Sequence, residues 1–213
     1  MFKSEIQEVG TVELPKFSGV RVMMLPFRLE DVATLPSSVA SWRQTVAALI
    51  EMSPVRSGVA YLTIDESEVL TGETHRRPGL HVDGIGPDGR AAAWGGGGKY
   101  AASGMLLVSN IVGCRGWSSE FSGYPGLNGD CEHLSDECYA KEAIVMRPGQ
   151  VYFCGPLAVH EALPMRKIVK RQVCRLSMPN DCPWYEGYTR NPLGVEPTGS
   201  IHAPRSGFMA YRS

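Results

Sequence analysis

Short apolar runs separated by glycine and proline place the strongest constraint on the fold of this chain. Its 213 residues include 24 Gly and 15 Pro, and these residue types mark turns and interrupt helices. Short apolar segments lie between them at 19–25, 58–64, 104–110 and 142–145. Segments of this length and composition are typical of strands. The sequence therefore predicts a mainly β fold.

One segment has helical periodicity instead. Its apolar residues at helical spacing are Trp42, Val46, Leu49 and Ile50. Ser37 or Ser38 is a suitable N-cap, because a serine side chain accepts a hydrogen bond from the first backbone N–H groups of a helix. The pattern predicts a helix over about 39–52 that buttresses the outside of a sheet.

Charge and cysteine usage exclude several classes of protein. The net charge is −1 and no long basic run is present, which argues against a nucleic-acid binder. No apolar stretch approaches the length of a membrane span, and the first residues lack an apolar signal region. Six cysteines are scattered without a compact disulfide framework. We therefore expect a cytoplasmic protein with reduced thiols and no membrane contact.

The length is suited to one domain over residues 1–213, with a core at about 58–178. The N-terminal strand and helix are expected to pack on that core. The tail after Asn180 carries several aromatic side chains, which are unfavourable in water. We expect the tail to fold back onto the core or to join two copies in a homodimer.

A possible metal site is formed by His81-Val82-Asp83 and the distant His160. Side chains two residues apart on a strand point the same way, so His81 and Asp83 would face one interior. His160 follows a strand-like segment at 147–153. Two imidazoles and one carboxylate bind Fe(II) and leave open positions for chemistry. The alternative is a structural histidine beside an ordinary Asp-Gly turn.

These elements, in this order, resemble the Fe(II)/2-oxoglutarate-dependent dioxygenase superfamily over roughly residues 60–178. The resemblance implies a double-stranded β-helix, also called a jelly-roll or cupin-like fold, with one or a few buttressing helices. It implies that His81, Asp83 and His160 hold Fe(II). It also implies an oxygenase that uses dioxygen and 2-oxoglutarate and releases succinate and CO2.

In that superfamily an arginine on the strand after the distal histidine binds the far carboxylate of 2-oxoglutarate. Arg171 and Arg175 are both candidates, and their spacing puts them on one face of the strand together with Ser177. Arg175 with Ser177 matches the Arg-x-Ser form of the motif, and Arg171 matches a shorter spacing. The sequence narrowly favours Arg175, with Arg171 as the alternative. A planar guanidinium binds a carboxylate through two hydrogen bonds, which a lysine cannot reproduce.

The substrate is less well specified. Arg76, Arg77 and whichever strand arginine does not bind cosubstrate predict a small carboxylate-bearing or polar molecule. Trp94 precedes four glycines at 95–98, whose alternatives are a lid, a contact to substrate or an ordinary flexible connection. Trp117 marks a second candidate segment for the substrate rim. Two alternatives stay open. One is a cupin-like metalloenzyme that does not use 2-oxoglutarate, and the other is a jelly-roll binding module without catalysis.

Overall fold

The computed structural model describes residues 1–85, 104–180, 184–199 and 201–202, with 184–185 and 201–202 as backbone only. The strands are β1 (Phe2–Ser4), β2 (Ile6–Thr11), β3 (Arg21–Arg28), β4 (Val59–Val69), β5 (Met105–Ser109), β6 (Cys114–Trp117), β7 (Ser119–Phe121), β8 (Ile144–Val145), β9 (Gln150–Cys154), β10 (Val159–Ala162), β11 (Val169–Ser177), β12 (Trp184–Tyr185) and β13 (Ile201–His202). The α-helices are α1 (Arg43–Met52) and α2 (Ser135–Tyr139), and 3-10 turns lie at Val32–Thr34, Ser37–Trp42, Leu127–Gly129 and Glu132–Leu134. The described chain is mainly β, as the sequence predicts.

Two antiparallel sheets position the candidate site. The larger sheet has the strand order β2-β9-β5-β11-β4-β3, and the smaller has the order β10-β6-β8. At the centre of the larger sheet, β11 pairs with β4 over its whole length, from Val169 opposite Val69 to Ser177 opposite Tyr61. The short pairs β1-β7 and β12-β13 complete the described strands.

The outer face of the larger sheet packs against α1. Leu62 of β4, Leu106 of β5 and Leu176 of β11 are fully buried there. Val46 and Leu49 of α1 belong to the same apolar cluster. Each such side chain contributes about 1.5–3 kcal/mol when removed from water. The predicted role of the helix as a buttress is confirmed.

The start of the helix differs from the prediction. α1 begins at Arg43 rather than near Val39, and its N-cap is Trp42, which makes no side-chain capping bond. The residues before it form a 3-10 turn in which Val39 is not helical. Side chains three apart eclipse in a 3-10 turn, so Val39 and Trp42 both enter the core, where each is fully buried. Packing thus overrides the serine cap expected at Ser37 or Ser38.

The four predicted strands are present with changed bounds. The segments at 19–25, 58–64 and 104–110 correspond to β3, β4 and β5. β4 continues to Val69 because it pairs with the whole of β11. The segment at 142–145 is reduced to Ile144–Val145, which pairs only with Arg115 and Gly116.

The C-terminal segment 186–199 folds back onto β3 and β4. Thr189 donates its backbone N–H to the carbonyl of Met23 at 2.7 Å, and its hydroxyl accepts the N–H of Met23 at 2.8 Å. Tyr188 packs with Met24 and Tyr61 in a small buried cluster. The described part of the tail therefore contacts β3 and β4, and the homodimer stays a prediction. Nowhere in the described ranges is a helix long and apolar enough to cross a bilayer.

Candidate metal centre

Backbone pairing places the two histidines side by side. His81 donates its backbone N–H to the carbonyl of His160, and His160 donates to the carbonyl of His81, both at 3.0 Å. Residues that exchange both hydrogen bonds in this way face each other in an antiparallel pair and project their side chains to the same side. The two imidazole centroids lie 4.4 Å apart. His160 itself lies on β10, rather than in the loop that the sequence indicates.

The hydrogen bonds of the imidazoles leave the same nitrogen free on each ring. His81 Nδ1 lies 2.8 Å from the carbonyl oxygen of Gly79, and His160 Nδ1 lies 2.8 Å from that of Ala158. Since a carbonyl only accepts, each Nδ1 carries a proton, and Nε2 is the nitrogen with the lone pair when the ring is neutral. Burial, with His160 close by, lowers the pKa of His81 to about 3. His81 is therefore neutral, which is the form that binds a metal.

Asp83 reaches the same space from the strand-like segment of His81. Leu80 and Val82 point to the opposite side, into a buried cluster with Val159. The backbone N–H groups of Val82 and Gly84 donate to the carbonyls of Gly129 and Pro156. Alternation thus directs His81 and Asp83 inward, as predicted from their spacing.

The three candidate ligand atoms lie within 4.8 Å of one another. Asp83 Oδ2 is 4.0 Å from His160 Nε2. Neighbouring ligands on an octahedral ion with bonds of about 2.1 Å lie about 3 Å apart. Side-chain movements of about 1 Å would bring the three ligand atoms to bonding distance of one ion. The residues present therefore fit a divalent transition metal.

A basic side chain contacts the carboxylate. Arg175 Nη1 lies 2.9 Å from Asp83 Oδ2. Burial alone would raise the pKa of the Asp83 carboxyl, yet Arg175, the two imidazoles and Arg76 hold it well below its usual value. Asp83 is therefore ionised and available as a ligand.

The triad faces a cavity of about 80 Å³ between the two sheets. Its wall is formed by Thr63, Arg76, Arg77, His81, Asp83, Met105, Leu107, Gly113, Cys114, His160, Ala162, Arg171, Val173 and Arg175. Four arginines thus line the cavity, against the single carboxylate of Asp83. A cavity with this excess of positive charge favours an anionic ligand.

Arg171 differs from Arg175 in its contacts. Both are buried on the inner face of β11. Arg171 Nε donates to Ser109 Oγ at 3.3 Å, and its Nη1 has no partner in the part of the chain that the structure describes. Burial is the main cause that lowers the pKa of Arg171 to about 10, so the side chain stays charged at neutral pH. The guanidinium lies so close to Gly113 that a Cβ there would be 2.4 Å from Arg171 Cζ.

Two predicted site residues lie elsewhere. The ring of Trp117 is 1% exposed and packs with Phe2 and Phe121 on the outer side of the smaller sheet. Alternation along β6 explains this position, because Cys114 faces the cavity and Trp117, three residues on, faces away. The assignment of Trp117 to a substrate rim is therefore wrong. Ser177 is fully buried, and its hydroxyl lies 3.9 Å from Met24 Sδ rather than on the described cavity wall.

The remaining predicted residues are partly accounted for. Arg76 and Arg77 both line the cavity. Arg76 Nη1 lies 3.5 Å from Asp65 Oδ2, and Arg77 Nη1 donates to the carbonyl of Asn128 at 2.7 Å. Trp94 and the glycines at 95–98 lie outside the described residues.

Sequence reasoning missed a buried cluster beside the cavity. Asp65, on the inner face of β4, lies 3.3 Å from His75 Nε2 and 3.6 Å from Arg21 Nε. Burial, followed by the nearby arginines, lowers the pKa of His75 to about 3. The signal for it is the pair Asp65-Glu66 directly after the largely apolar segment 58–64. Cys114 also lines the cavity, and burial raises the pKa of its thiol to about 12, which keeps it protonated.

No family model and no curated protein matches this chain. Among solved structures, the crystal structure of AviO1 from Streptomyces viridochromogenes Tue57 is similar over 87% of this chain and 78% of that one, with 13% sequence identity and a TM-score of 0.35. Similarity at this level supports no conclusion about fold or chemistry. The function proposed below therefore depends on the residues of this chain alone.

Proposed function

We propose that this chain is a non-haem Fe(II)/2-oxoglutarate-dependent oxygenase that oxidises a small carboxylate-bearing or polar substrate. The observation that carries the proposal is the triad itself. Two imidazoles that donate from Nδ1 to backbone carbonyls and one ionised carboxylate converge on a cavity that has an excess of arginine. Two histidines and one carboxylate on one side of an ion are the ligand set of non-haem Fe(II) oxygenases.

The order of the strands supports the double-stranded β-helix as the fold. From β4 to β11 the chain runs through β4, the His81 segment, β5, β6, β7, β8, β9, β10 and β11, and β7 pairs with β1 outside these two sheets. The members β4, β5, β9 and β11 belong to the larger sheet, whereas β6, β8 and β10 belong to the smaller one. The His81 segment extends the smaller sheet through its bridge to His160. Two facing four-strand layers of this kind form a jelly-roll.

Bound Fe(II) would supply oxidation by dioxygen, coupled to the decarboxylation of 2-oxoglutarate to succinate and CO2. His81 and His160 hold their rings by their Nδ1–H bonds to backbone carbonyls, which keeps both Nε2 atoms directed at the ion. Asp83 supplies the third ligand. Met105, Leu107 and Val173 give the cavity an apolar wall that limits access of water.

The contacts favour Arg171 as the residue that binds the far carboxylate of 2-oxoglutarate. The sequence narrowly favours Arg175, yet the Nη1 of Arg175 is already hydrogen-bonded to a metal ligand. Arg171 has an unpartnered Nη1 within the described residues and remains positively charged. A buried guanidinium N–H without a partner is costly, and a carboxylate would satisfy it. Arg76 and Arg77 then stay available for an anionic group of the substrate.

The experiment compares two buried histidines. We expect metal-free wild-type protein to bind Mn(II), and to bind 2-oxoglutarate only when Mn(II) is present, as measured by isothermal titration calorimetry. His160→Ala should lose metal binding, because it removes one of three ligands. His75→Ala is the matched control, since the His75 side chain is similarly buried but lies 3.3 Å from Asp65 instead of in the triad, and it should keep metal binding.

Turnover is tested by release of succinate with Fe(II), dioxygen and a panel of small acids. Metal binding without any binding of 2-oxoglutarate would point to a metalloenzyme that uses another cosubstrate or none. Loss of metal binding in His75→Ala but not in His160→Ala would contradict the assigned site.

A further inference from the structure

We propose that Arg175 is a positioning residue that orients Asp83 for the metal, and that a bulge in β3 holds Arg175 in place through Met24. This inference rests on the metal site of the proposed function, and it does not depend on the cosubstrate or on the reaction.

The first step is the contact between Arg175 and Asp83. The guanidinium of Arg175 donates from Nη1 to Asp83 Oδ2 at 2.9 Å. Its side chain is only 8% exposed, so solvent screens this pair little. A charge-assisted hydrogen bond of this length fixes the direction of the carboxylate. The oxygen that Arg175 holds is also the one that lies 4.0 Å from His160 Nε2, so this bond orients the carboxylate toward the imidazoles.

The second step is the support behind Arg175. Its Nη2 lies 3.3 Å from the thioether sulfur of Met24, a weak acceptor. Met24 is completely buried. A guanidinium held at Nη1 by a carboxylate and at Nη2 by a buried sulfur has little freedom to turn.

The third step is the backbone of Met24, which has a φ of 50°. A long side chain rarely adopts this left-handed conformation, and it persists only when surrounding contacts impose it. The register between β3 and β4 shifts here, between Val22 and Leu25. The backbone N–H of Met24 donates to Thr63 Oγ1 at 3.0 Å. The bulge thus turns the Met24 side chain toward Arg175.

The last step is the C-terminal segment, which secures the bulge from the other side. Thr189 makes two hydrogen bonds to the backbone of Met23, and Tyr188 packs against Met24. A continuous set of contacts therefore runs from Thr189 through the bulge and Arg175 to Asp83.

Substitution of Arg175 should change metal affinity in opposite directions for two possible roles. The direction therefore shows whether Arg175 orients Asp83 or only adds positive charge near the ion. Removing a positive charge near a divalent ion should strengthen metal binding, because repulsion is reduced. Removing a residue that orients a ligand should weaken it, by about 10–100-fold for such supporting residues. We therefore expect Arg175→Gln to bind Mn(II) about 10–100-fold more weakly than wild type.

The matched control is Arg171→Gln, which removes a cation from the same strand and the same cavity. Arg171 hydrogen-bonds to Ser109 Oγ rather than to a metal ligand. It should bind Mn(II) as tightly as wild type or more tightly. The visible absorption of bound Co(II), which reports coordination number, should change in Arg175→Gln and stay unchanged in Arg171→Gln. Arg175→Gln binding equal to or tighter than wild type would overturn the proposal.

A second variant keeps the test decisive if Arg175→Gln does not fold. Met24→Leu preserves the volume and the backbone conformation but removes the sulfur, and we expect a smaller loss of Mn(II) affinity, about threefold. Where both fold, the double variant should lose no more affinity than Arg175→Gln alone, because both changes act through one contact. Additive losses, or unchanged affinity in Met24→Leu, would contradict the role of Met24. Failure of the wild-type protein to bind Mn(II) would instead refute the proposed function.

Discussion

The two faces of the larger sheet both contain buried polar groups, but these groups differ in whether they have hydrogen-bond partners. On the face that packs against α1, Glu66 of β4 accepts hydrogen bonds from Trp42 Nε1, Gln172 Nε2 and the backbone N–H groups of Ser18 and Val20, at 2.7–3.1 Å. On the cavity face, Arg171 Nη1 and Arg175 Nε are buried without partners in the described ranges. Strand β11 contributes to both sets, Gln172 to the first and the two arginines to the second.

This difference separates stability from ligand binding. A buried polar group that is fully hydrogen-bonded stabilises the fold, whereas an unpartnered one is costly and is retained where a ligand can satisfy it. Glu66 ties the N-terminal loop, the turn before α1 and β11 to β4. On the other face, one N–H-bearing nitrogen of each arginine has no acceptor among the described residues. An anionic ligand could supply that acceptor.

The largest expected effect on stability follows from removing the Glu66 carboxylate on the helix face. Glu66→Ala leaves four donors without their acceptor, two of them in buried hydrogen bonds, and we expect the free energy of unfolding to fall by about 4 kcal/mol. Urea denaturation of the metal-free protein measures this loss. A fall in unfolding free energy of less than about 1 kcal/mol would mean that the hydrogen bonds of Glu66 do not stabilise the fold.

Acid provides an independent check on the same carboxylate. Burial alone would raise the pKa of Glu66, but the bonds from Gln172 and the backbone lower it below its usual 4.5. A lowered pKa contributes stability that is present above about 4.5 and is lost as the pH falls further. The stability difference between wild type and Glu66→Gln should therefore narrow on acidification below that pH.

Local periodicity made part of the cavity face predictable from the sequence. The two-residue spacing of His81 and Asp83 and the four-residue spacing of Arg171 and Arg175 fix which side chains share a face of a strand. These relations need only the local conformation, and all four residues line the cavity.

Contacts between distant segments were not predictable in this way. Arg175 and Asp83 are separated by 92 residues, so their contact depends on how the strands pair. Trp117 was misassigned because its sequence neighbours resemble a loop, whereas the pairing of β6 with β10 decides which way it points. The positive φ of Met24 likewise follows from a bulge that no local signal marks.

A valine-to-alanine substitution on each face of the sheet compares how tightly the two faces are packed. Val151 packs in the cluster beneath α1 and is fully buried, and Val173 borders the cavity and is 3% exposed. Val151→Ala should lower the free energy of unfolding by about 2–3 kcal/mol, from lost transfer energy plus a new cavity. Val173→Ala should lower it by about 1 kcal/mol, because its methyl groups already face open space. Equal losses in urea denaturation would show that the cavity face is packed as tightly as the helix face.

The smallest expected effect tests whether the open face serves the cosubstrate. Gly113→Ala would place a Cβ 2.4 Å from Arg171 Cζ, so the guanidinium must shift away from its position in the cavity. If Arg171 binds 2-oxoglutarate, the KM for 2-oxoglutarate should rise about tenfold, equivalent to ~1.4 kcal/mol, with little change in unfolding free energy. Gly155→Ala is the matched control, since a Cβ there meets its nearest neighbour, Glu5 Cβ, at an ordinary 3.6 Å. An unchanged KM in Gly113→Ala, measured by succinate release, would return the cosubstrate role to Arg175 and leave Arg171 as a binder of the substrate's anionic group.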